Sequence, residues 1–258
     1  MIWKIAKKEL QLLFFSPVAW FLLVVFTIQA GMLFVGRYHD YMKTNEFGNG
    51  IQFMVSFSLF VRALWGQVSM YLYFYIPLLT MGLVSKELSS GSIKLLYSSP
   101  VSNTQIILGK FCAMMGFALV MCLMLSVYVV VALCTVQDFE LAVVLTGLLG
   151  LFLLTCTYAA VGIFVSSLTS YQFVAAVGTF IVLMFLSLIG GWWQEYDFVR
   201  DVTYWLCING RVNTFIMGMI CSEDVLYFPL VTALFLALTI IRLNAVRQKV
   251  KFSVTLGK

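Results

Sequence analysis

The sequence predicts an all-α membrane protein with several transmembrane helices. Residues of the AVILMFWYC group make up 62% of the 258 residues, and charged residues only 10%. A soluble domain has roughly 45–50% apolar residues, even with glycine counted. The apolar residues form long blocks, and Lys and Arg are concentrated between alternate blocks. These observations exclude an ordinary soluble domain and predict a polytopic helical bundle.

Six apolar blocks are long enough to cross a bilayer, which takes about 20 residues in a helix. They cover residues 17–36, 64–84, 111–135, 141–165, 173–191 and 225–243. The connections between them leave no room for a large soluble domain. We therefore predict one transmembrane domain over 1–258, made of an interfacial helix (1–16), a six-span bundle (17–243) and a cytoplasmic tail (244–258).

Small residues are concentrated in the fourth block. They are Gly147, Gly150, Ala159, Ala160 and Gly162. Small side chains let the backbones of two transmembrane helices approach closely. We expect this span to be tightly packed against its neighbours.

The first 16 residues predict an amphipathic helix at the membrane surface. Apolar residues between Trp3 and Phe14 share one helical face, whereas Lys4 and Lys8 lie on the other. Such a helix places its apolar face in the acyl boundary and its lysines near anionic headgroups. The alternative is a simple extension of the first span, but Pro17 tends to break a helix at that point.

The distribution of cations predicts the orientation of the bundle. Six spans place both termini on one side. With the N-terminus inside, the inner segments contain 11 of the 16 Lys and Arg residues: Lys4, Lys7, Lys8, Lys86, Lys94, Lys110, Arg242, Arg247, Lys249, Lys251 and Lys258. The outer segments contain five cations: Arg37, Lys43, Arg62, Arg200 and Arg211. The positive-inside rule therefore predicts cytoplasmic termini. Glu9 and Glu87 are the only acidic residues in the inner segments.

The sequence contains no recognisable catalytic or metal-binding motif. His39 is the only histidine, the six cysteines include no CxxC pair, and a phosphate-binding GxxxxGK[ST] loop is missing. Every ionisable residue falls at the end of a span or in a loop, with Arg62 predicted to reach the outer interface. We therefore expect no enzymatic activity, no metal and no cofactor in this chain, and we disfavour an ion-coupled carrier or an intramembrane enzyme.

The segment from Ser85 to Lys110 is the long inner connection, and it combines turn residues with an apolar patch. Residues 93–97 predict a short helix that ends before Pro100. Ser102 and Gln105 have the spacing of a capping box, which would start the next helix. A five-residue helix is marginal in water unless it docks. We favour docking over a solvated hairpin.

A set of short motifs follows in order along nearly the whole chain. They are Lys8-Glu9, Ser16-Pro17, Pro77-Leu78-Leu79-Thr80-Met81, Glu87, Gly91, Leu95-Leu96, Pro100, Gly109-Lys110, Phe215, Gly218, Asp224, Tyr227 and Phe228. In this order they resemble the type-2 permease subunits of ATP-binding-cassette (ABC) exporters. The resemblance is closest to gliding-motility-associated and copper-enzyme-maturation permeases.

The resemblance implies a permease in the bacterial inner membrane, driven by a separate cytoplasmic ABC ATPase that binds ATP and Mg²⁺. It also implies a second permease subunit and contact with membrane lipid, and it implies no nucleic acid. The ATPase would contact the inner connection through Glu87, Gly91, Ile93, Leu95, Leu96, Tyr97 and Pro100. Glu87 would pair with a cation of the ATPase, and Gly91 would supply a turn conformation that is closed to branched residues. An alternative function is a mechanical transmitter or anchor for an outer complex, without net transport.

Cys207 and Cys221 are candidates for a disulfide in the outer segment before the last span. They are the only two cysteines on the predicted outer side, where an oxidising compartment would favour the bond. Asn209-Gly210 between them predicts a turn. The alternative is that each cysteine acts as a small hydrophobic residue.

Overall fold

A computed structural model describes residues 2–46, 57–92, 101–135, 141–189, 203, 205 and 207–256. The regular structure of these ranges is helical, in agreement with the predicted all-α class. The helices are α1 (Ile2–Phe15), α2 (Pro17–Glu46), α3 (Phe57–Thr80), α4 (Ser85–Ser89), α5 (Asn103–Thr135), α6 (Leu141–Leu168), α7 (Gln172–Leu188), α8 (Ile208–Ile216) and α9 (Ser222–Leu256).

Among the described residues, five segments are long and apolar enough to cross a membrane. They are Pro17–His39, Arg62–Ser89, Asn103–Cys134, Ala142–Leu168 and Ser222–Gln248. Each overlaps one of the predicted spans. The predicted fifth span (173–191) corresponds to α7, which has 17 residues and is about 25 Å long. This is shorter than the roughly 30 Å hydrocarbon core, and residues 190 and 191 lie outside the described residues.

The ends of two spans differ from the prediction. The second span was expected to be continuous over 64–84, but α3 ends at Thr80 and α4 starts only at Ser85. Pro77 lies inside α3, which continues through it to Thr80, so the interruption comes after the proline. At the other end of the chain, α9 continues through residues predicted as a tail, as far as Leu256.

The N-terminal helix is separate from the first span. α1 ends at Phe15 and α2 begins at Pro17, because proline is favoured in the first turn of a helix and disfavoured within it. The Trp20 indole donates a hydrogen bond of 2.6 Å to the Phe14 carbonyl across this break. The alternative of one continuous helix is therefore wrong. The location of α1 at the membrane surface remains a prediction.

Helix α6 forms the centre of the bundle. It packs against α3, α5, α7, α8 and α9, and 72% of its most apolar window is buried inside the protein. Its sequence is apolar on all sides, which is typical of a fully surrounded helix. The hydroxyls of Thr157 in α6 and Thr232 in α9 are 3.1 Å apart and form a hydrogen bond in this core.

Glycines in α6 allow the close packing predicted for this span. A Cβ atom on Gly162 would overlap the Thr80 hydroxyl, and one on Gly147 would overlap the Trp65 ring. A Cβ atom on Gly150 would lie 2.6 Å from the Phe215 Cβ. Side chains from α3 and α8 therefore occupy the space that larger residues in α6 would fill.

The substitution Gly162→Ala tests this packing. We expect it to destabilise the protein by about 1–3 kcal/mol, because the added methyl group overpacks the contact with Thr80. Gly66→Ala is the matched control, since no atom lies within 4 Å of its added Cβ and alanine favours a helix by about 1 kcal/mol over glycine. Thermal unfolding in detergent measures both. Equal midpoints for Gly162→Ala and wild type would contradict the packing argument.

Candidate functional site

Three helices meet at a buried ion triad on the side of the bundle where α3 ends. The Lys110 ammonium in α5 lies 2.7 Å from Glu87 Oε1 in α4 and 2.9 Å from Glu9 Oε1 in α1. The side chain of Lys110 is 2% exposed, and those of Glu9 and Glu87 are 19% and 25% exposed. We call Glu9, Glu87 and Lys110 the triad.

The electrostatics of the triad follow from this burial. An ammonium removed from water is costly unless anionic acceptors replace its hydration. Two charge-assisted hydrogen bonds supply that replacement here. With two carboxylates and one ammonium, the triad has a formal charge of −1. The partly exposed carboxylates retain contact with solvent, whereas Lys110 depends almost entirely on them.

The approach of α1 to the triad depends on two glycines in α5. A Cβ atom on Gly109 would lie 2.6 Å from Ile5 Cγ2, and one on Gly116 would lie 3.3 Å from Leu10 Cδ1. Larger residues at these positions would move α1 away from α5. Gly109 therefore helps to bring Glu9 of α1 within reach of Lys110.

A serine in the central helix holds the turn that leads to α4. The backbone N–H groups of Val84 and Ser85 donate to Ser166 Oγ at 3.2 and 3.1 Å, and Ser166 Oγ donates to the Met81 carbonyl at 2.9 Å. These are backbone groups that the interruption between α3 and α4 leaves without helical partners. Ser166 thus fixes the position of α4, and with it Glu87, relative to α6.

The start of α5 is capped as the sequence predicts. The Gln105 N–H donates to Ser102 Oγ at 3.3 Å, and the Ser102 N–H donates to Gln105 Oε1 at 3.4 Å, which is the reciprocal pattern of a capping box. Asn103 Nδ2 donates to Asn244 Oδ1 of α9 at 2.7 Å. Arg247 Nη1 donates to the Val101 carbonyl at 3.3 Å. Two side chains of α9 therefore hydrogen-bond to the segment at the start of α5, at the same end of the bundle as the triad.

The structure gives different results for the individual residues that were predicted to contact the ATPase. Glu87 is paired with Lys110 of its own chain, and its pairing with a cation of an ATPase stays a prediction. Gly91 has φ +70°, the left-handed conformation that glycine adopts without strain, as the turn prediction requires. The other predicted residues, Ile93, Leu95, Leu96, Tyr97 and Pro100, lie outside the described residues.

Sequence reasoning missed the triad because it placed every charge at a span end or in a loop. Lys110 and Arg211 are in fact buried. One signal was present: Glu9 and Glu87, the two acidic residues of the predicted inner segments, both bind Lys110. Acidic residues are rare in these cation-rich segments, which makes Glu9 and Glu87 candidates for ion pairs. The sequence does not show, however, that α1 and α4 approach the same lysine.

A second buried ion pair lies at the opposite end of the bundle. Arg211 Nη1 of α8 is 2.8 Å from Asp224 Oδ1 in the first turn of α9. The Arg211 guanidinium also lies 4.5 Å from the Tyr227 ring centroid and 5.3 Å from that of Trp205, within the range of cation–π attraction. Arg62, predicted to reach an interface, donates to the Met217 carbonyl at 2.9 Å. These contacts hold α8 against α3 and α9.

The predicted disulfide between Cys207 and Cys221 is not formed, and both are free thiols. Asn209 and Gly210, predicted as a turn, lie within α8, and the chain turns instead at Gly218, with φ +84°. Cys207 directly precedes this helix, and Cys221 follows the turn after it. Cys207 is buried with its thiol donating to the Ser187 carbonyl at 3.5 Å, and Cys221 is exposed.

The substitution Lys110→Met tests the balance of charges in the triad. We expect it to destabilise the protein by about 3 kcal/mol, the lower end of the cost of breaking a buried ion pair, because the two carboxylates remain partly hydrated. The combined variant Lys110→Met, Glu9→Gln, Glu87→Gln removes the unpaired charges and should recover at least half of this loss. Thermal unfolding of the purified proteins is the measurement. A combined variant less stable than Lys110→Met would contradict the electrostatic origin.

Comparison with known proteins agrees with the membrane architecture. The family model described as "ABC-2 family transporter protein" matches residues 3–245, so the match includes the three residues of the triad and the ion pair of Arg211. A search of the curated proteins finds no match. The chain is a multi-pass membrane protein and, because the family match spans nearly its whole length, it belongs to the ABC-2 family as a permease component of an ABC transporter.

Proposed function

We propose that this chain is the permease subunit of an ABC exporter that moves its substrate across, or out of, the bacterial inner membrane. A separate ABC ATPase subunit supplies the energy and binds ATP and Mg²⁺. The observation that carries the proposal is the convergence of α1, α4 and α5 on Lys110, within a chain of the ABC-2 family. The ATPase docks at this end of the bundle.

The proposed orientation places the triad on the cytoplasmic side. The predicted inner segments contain 11 of the 16 Lys and Arg residues, and the K/R bias of short loops sets the orientation of membrane proteins. Helix α7 completes a six-span bundle, so that both termini are cytoplasmic. A second permease subunit, identical or different, completes the pathway.

The triad and the turn at Ser166 explain how a force on α4 would reach the bundle. Helix α4 is joined to α5 and α1 through Lys110, and to α6 through Ser166. Helices are stiff along their axes, so a displacement of α4 by the ATPase tilts the helices bound to it. Because these contacts are polar and directional, they resist sliding in a way that apolar packing does not.

Reconstitution with the partner ATPase tests this coupling. We expect Gly91→Val to lose the stimulation of ATP hydrolysis and the ATP-dependent movement of substrate, since a branched residue is strained at φ +70°. We expect Glu87→Ala to lose both because it releases α4 from Lys110.

The matched control for the glycine is Gly36→Val in α2, where no atom lies within 4 Å of the added Cβ. It should retain stimulation. The variants must remain folded by size-exclusion chromatography. Full stimulation in both Gly91→Val and Glu87→Ala would refute the coupling role. Stimulation without any accumulation of lipid or solute in vesicles would favour a mechanical transmitter.

The orientation is tested by labelling single cysteines in a background without the six native ones. Ser89 in α4 and Glu223 in α9 are both exposed. A membrane-impermeant maleimide should label Ser89→Cys only from the cytoplasmic side and Glu223→Cys only from the outside. Labelling of both from the same side would contradict the proposed topology.

A further inference from the structure

A cleft of about 490 Å³ lies beside the triad, between α1, the start of α2 and the α3–α4 turn. Its volume is within the range of about 300–1,000 Å³ that is typical of ligand sites. Glu9, Glu87 and Lys110 form part of its wall.

The lining of the cleft combines apolar and charged side chains. One part is formed by leucine and valine side chains of α1, α2 and α3, namely Leu12, Leu13, Val18, Leu78 and Leu79. The other part contains Lys86, Ser90 and Ser92 next to the triad. Leu12, Val18 and Leu78 are also exposed on the protein surface, at 56%, 45% and 41%. An apolar wall that continues to the surface of a membrane protein is accessible to an acyl chain.

Charged residues of both signs line the cleft. The triad carries a formal charge of −1, and the structure shows one oxygen of each carboxylate bonded to Lys110. Lys86, the residue before Glu87, is exposed and lines the same cleft. The cleft therefore presents both anionic and cationic groups, which complements a zwitterion and not a single charge.

We propose that this cleft binds an aminophospholipid from the leaflet in which α1 lies. Its primary ammonium donates hydrogen bonds to the Glu9 and Glu87 carboxylates and neutralises the triad. Its phosphate pairs with Lys86 and accepts from the serine hydroxyls, and one acyl chain follows Leu12, Leu78 and Leu79. A primary amine has three N–H donors, whereas a choline headgroup has none. The site therefore selects phosphatidylethanolamine over phosphatidylcholine.

This site goes beyond the proposed transport function, because the bound lipid is a resident ligand and not the transported substrate. The lipid touches both α1 and α4, so its presence stabilises their shared contact with Lys110. Binding to the folded protein raises its apparent stability in proportion to occupancy.

Native mass spectrometry of the purified permease in detergent tests the proposal without the ATPase, so the outcome is independent of the coupling experiment. The probes are dioleoyl-phosphatidylethanolamine, dioleoyl-phosphatidylcholine and dioleoyl-phosphatidylglycerol, which share their acyl chains. We expect the ethanolamine lipid to bind at least about fivefold more tightly than the other two, which corresponds to about 1 kcal/mol from the charge-assisted hydrogen bonds of its amine.

Substitutions of residues that line the cleft test whether the lipid binds there. Lys86→Gln leaves the triad intact and should reduce the affinity for the ethanolamine lipid by about threefold or more. Glu9→Gln should remove the preference for ethanolamine over choline. Lys7→Gln is the matched control, because Lys7 is an exposed lysine of α1 that does not line this cleft, and it should bind like wild type. Equal binding of the ethanolamine and choline lipids by wild type would overturn the proposal. Tighter binding of the glycerol lipid, or unchanged binding by Lys86→Gln, would also overturn it.

Discussion

The arrangement of the helices at the α4 end depends on the solvation of one buried ammonium group. Lys110 is 2% exposed, so water cannot stabilise its charge, and two carboxylates have to be brought to it from distant parts of the sequence. Glu9 lies in α1, which packs on α5, and Glu87 lies in α4, which Ser166 holds against α6. Because an uncompensated buried charge costs several kcal/mol, the need to pair Lys110 constrains α1 and α4 together.

Close packing around α6 sets the helix arrangement within which Lys110 is paired. Glycines 147, 150 and 162 admit Trp65, Phe215 and Thr80 close to its backbone. In a membrane, helix association relies on such close approach and on hydrogen bonds between helices, since lipid is as apolar as the helices themselves. Ser166 belongs to the same helix and holds the α3–α4 turn. The central helix thus supports both the core of the bundle and the position of the triad.

The opposite end of the bundle uses the same principle with different groups. Arg211 is 4% exposed and is paired with Asp224 at the start of α9, where the helix dipole also favours an anion. Tyr227 and Trp205 add their ring faces to the guanidinium. Asn209 of α8 accepts from the Tyr73 hydroxyl at 2.8 Å and donates to Ser187 Oγ at 2.7 Å. A short helix is therefore held by polar contacts to α3, α7 and α9, without a disulfide.

The sequence alone determined the class of the protein, the approximate limits of most spans, the break at Pro17, the capping box at Ser102 and the turn at Gly91. These features depend on local composition and backbone preference, and nearby residues are sufficient to specify them. The pairing of Lys110, the role of Ser166 and the free state of Cys207 and Cys221 were decided by the tertiary structure. Such contacts join residues up to 101 positions apart, and which buried charge meets which partner depends on how closely the helices can approach, a property that no local pattern contains.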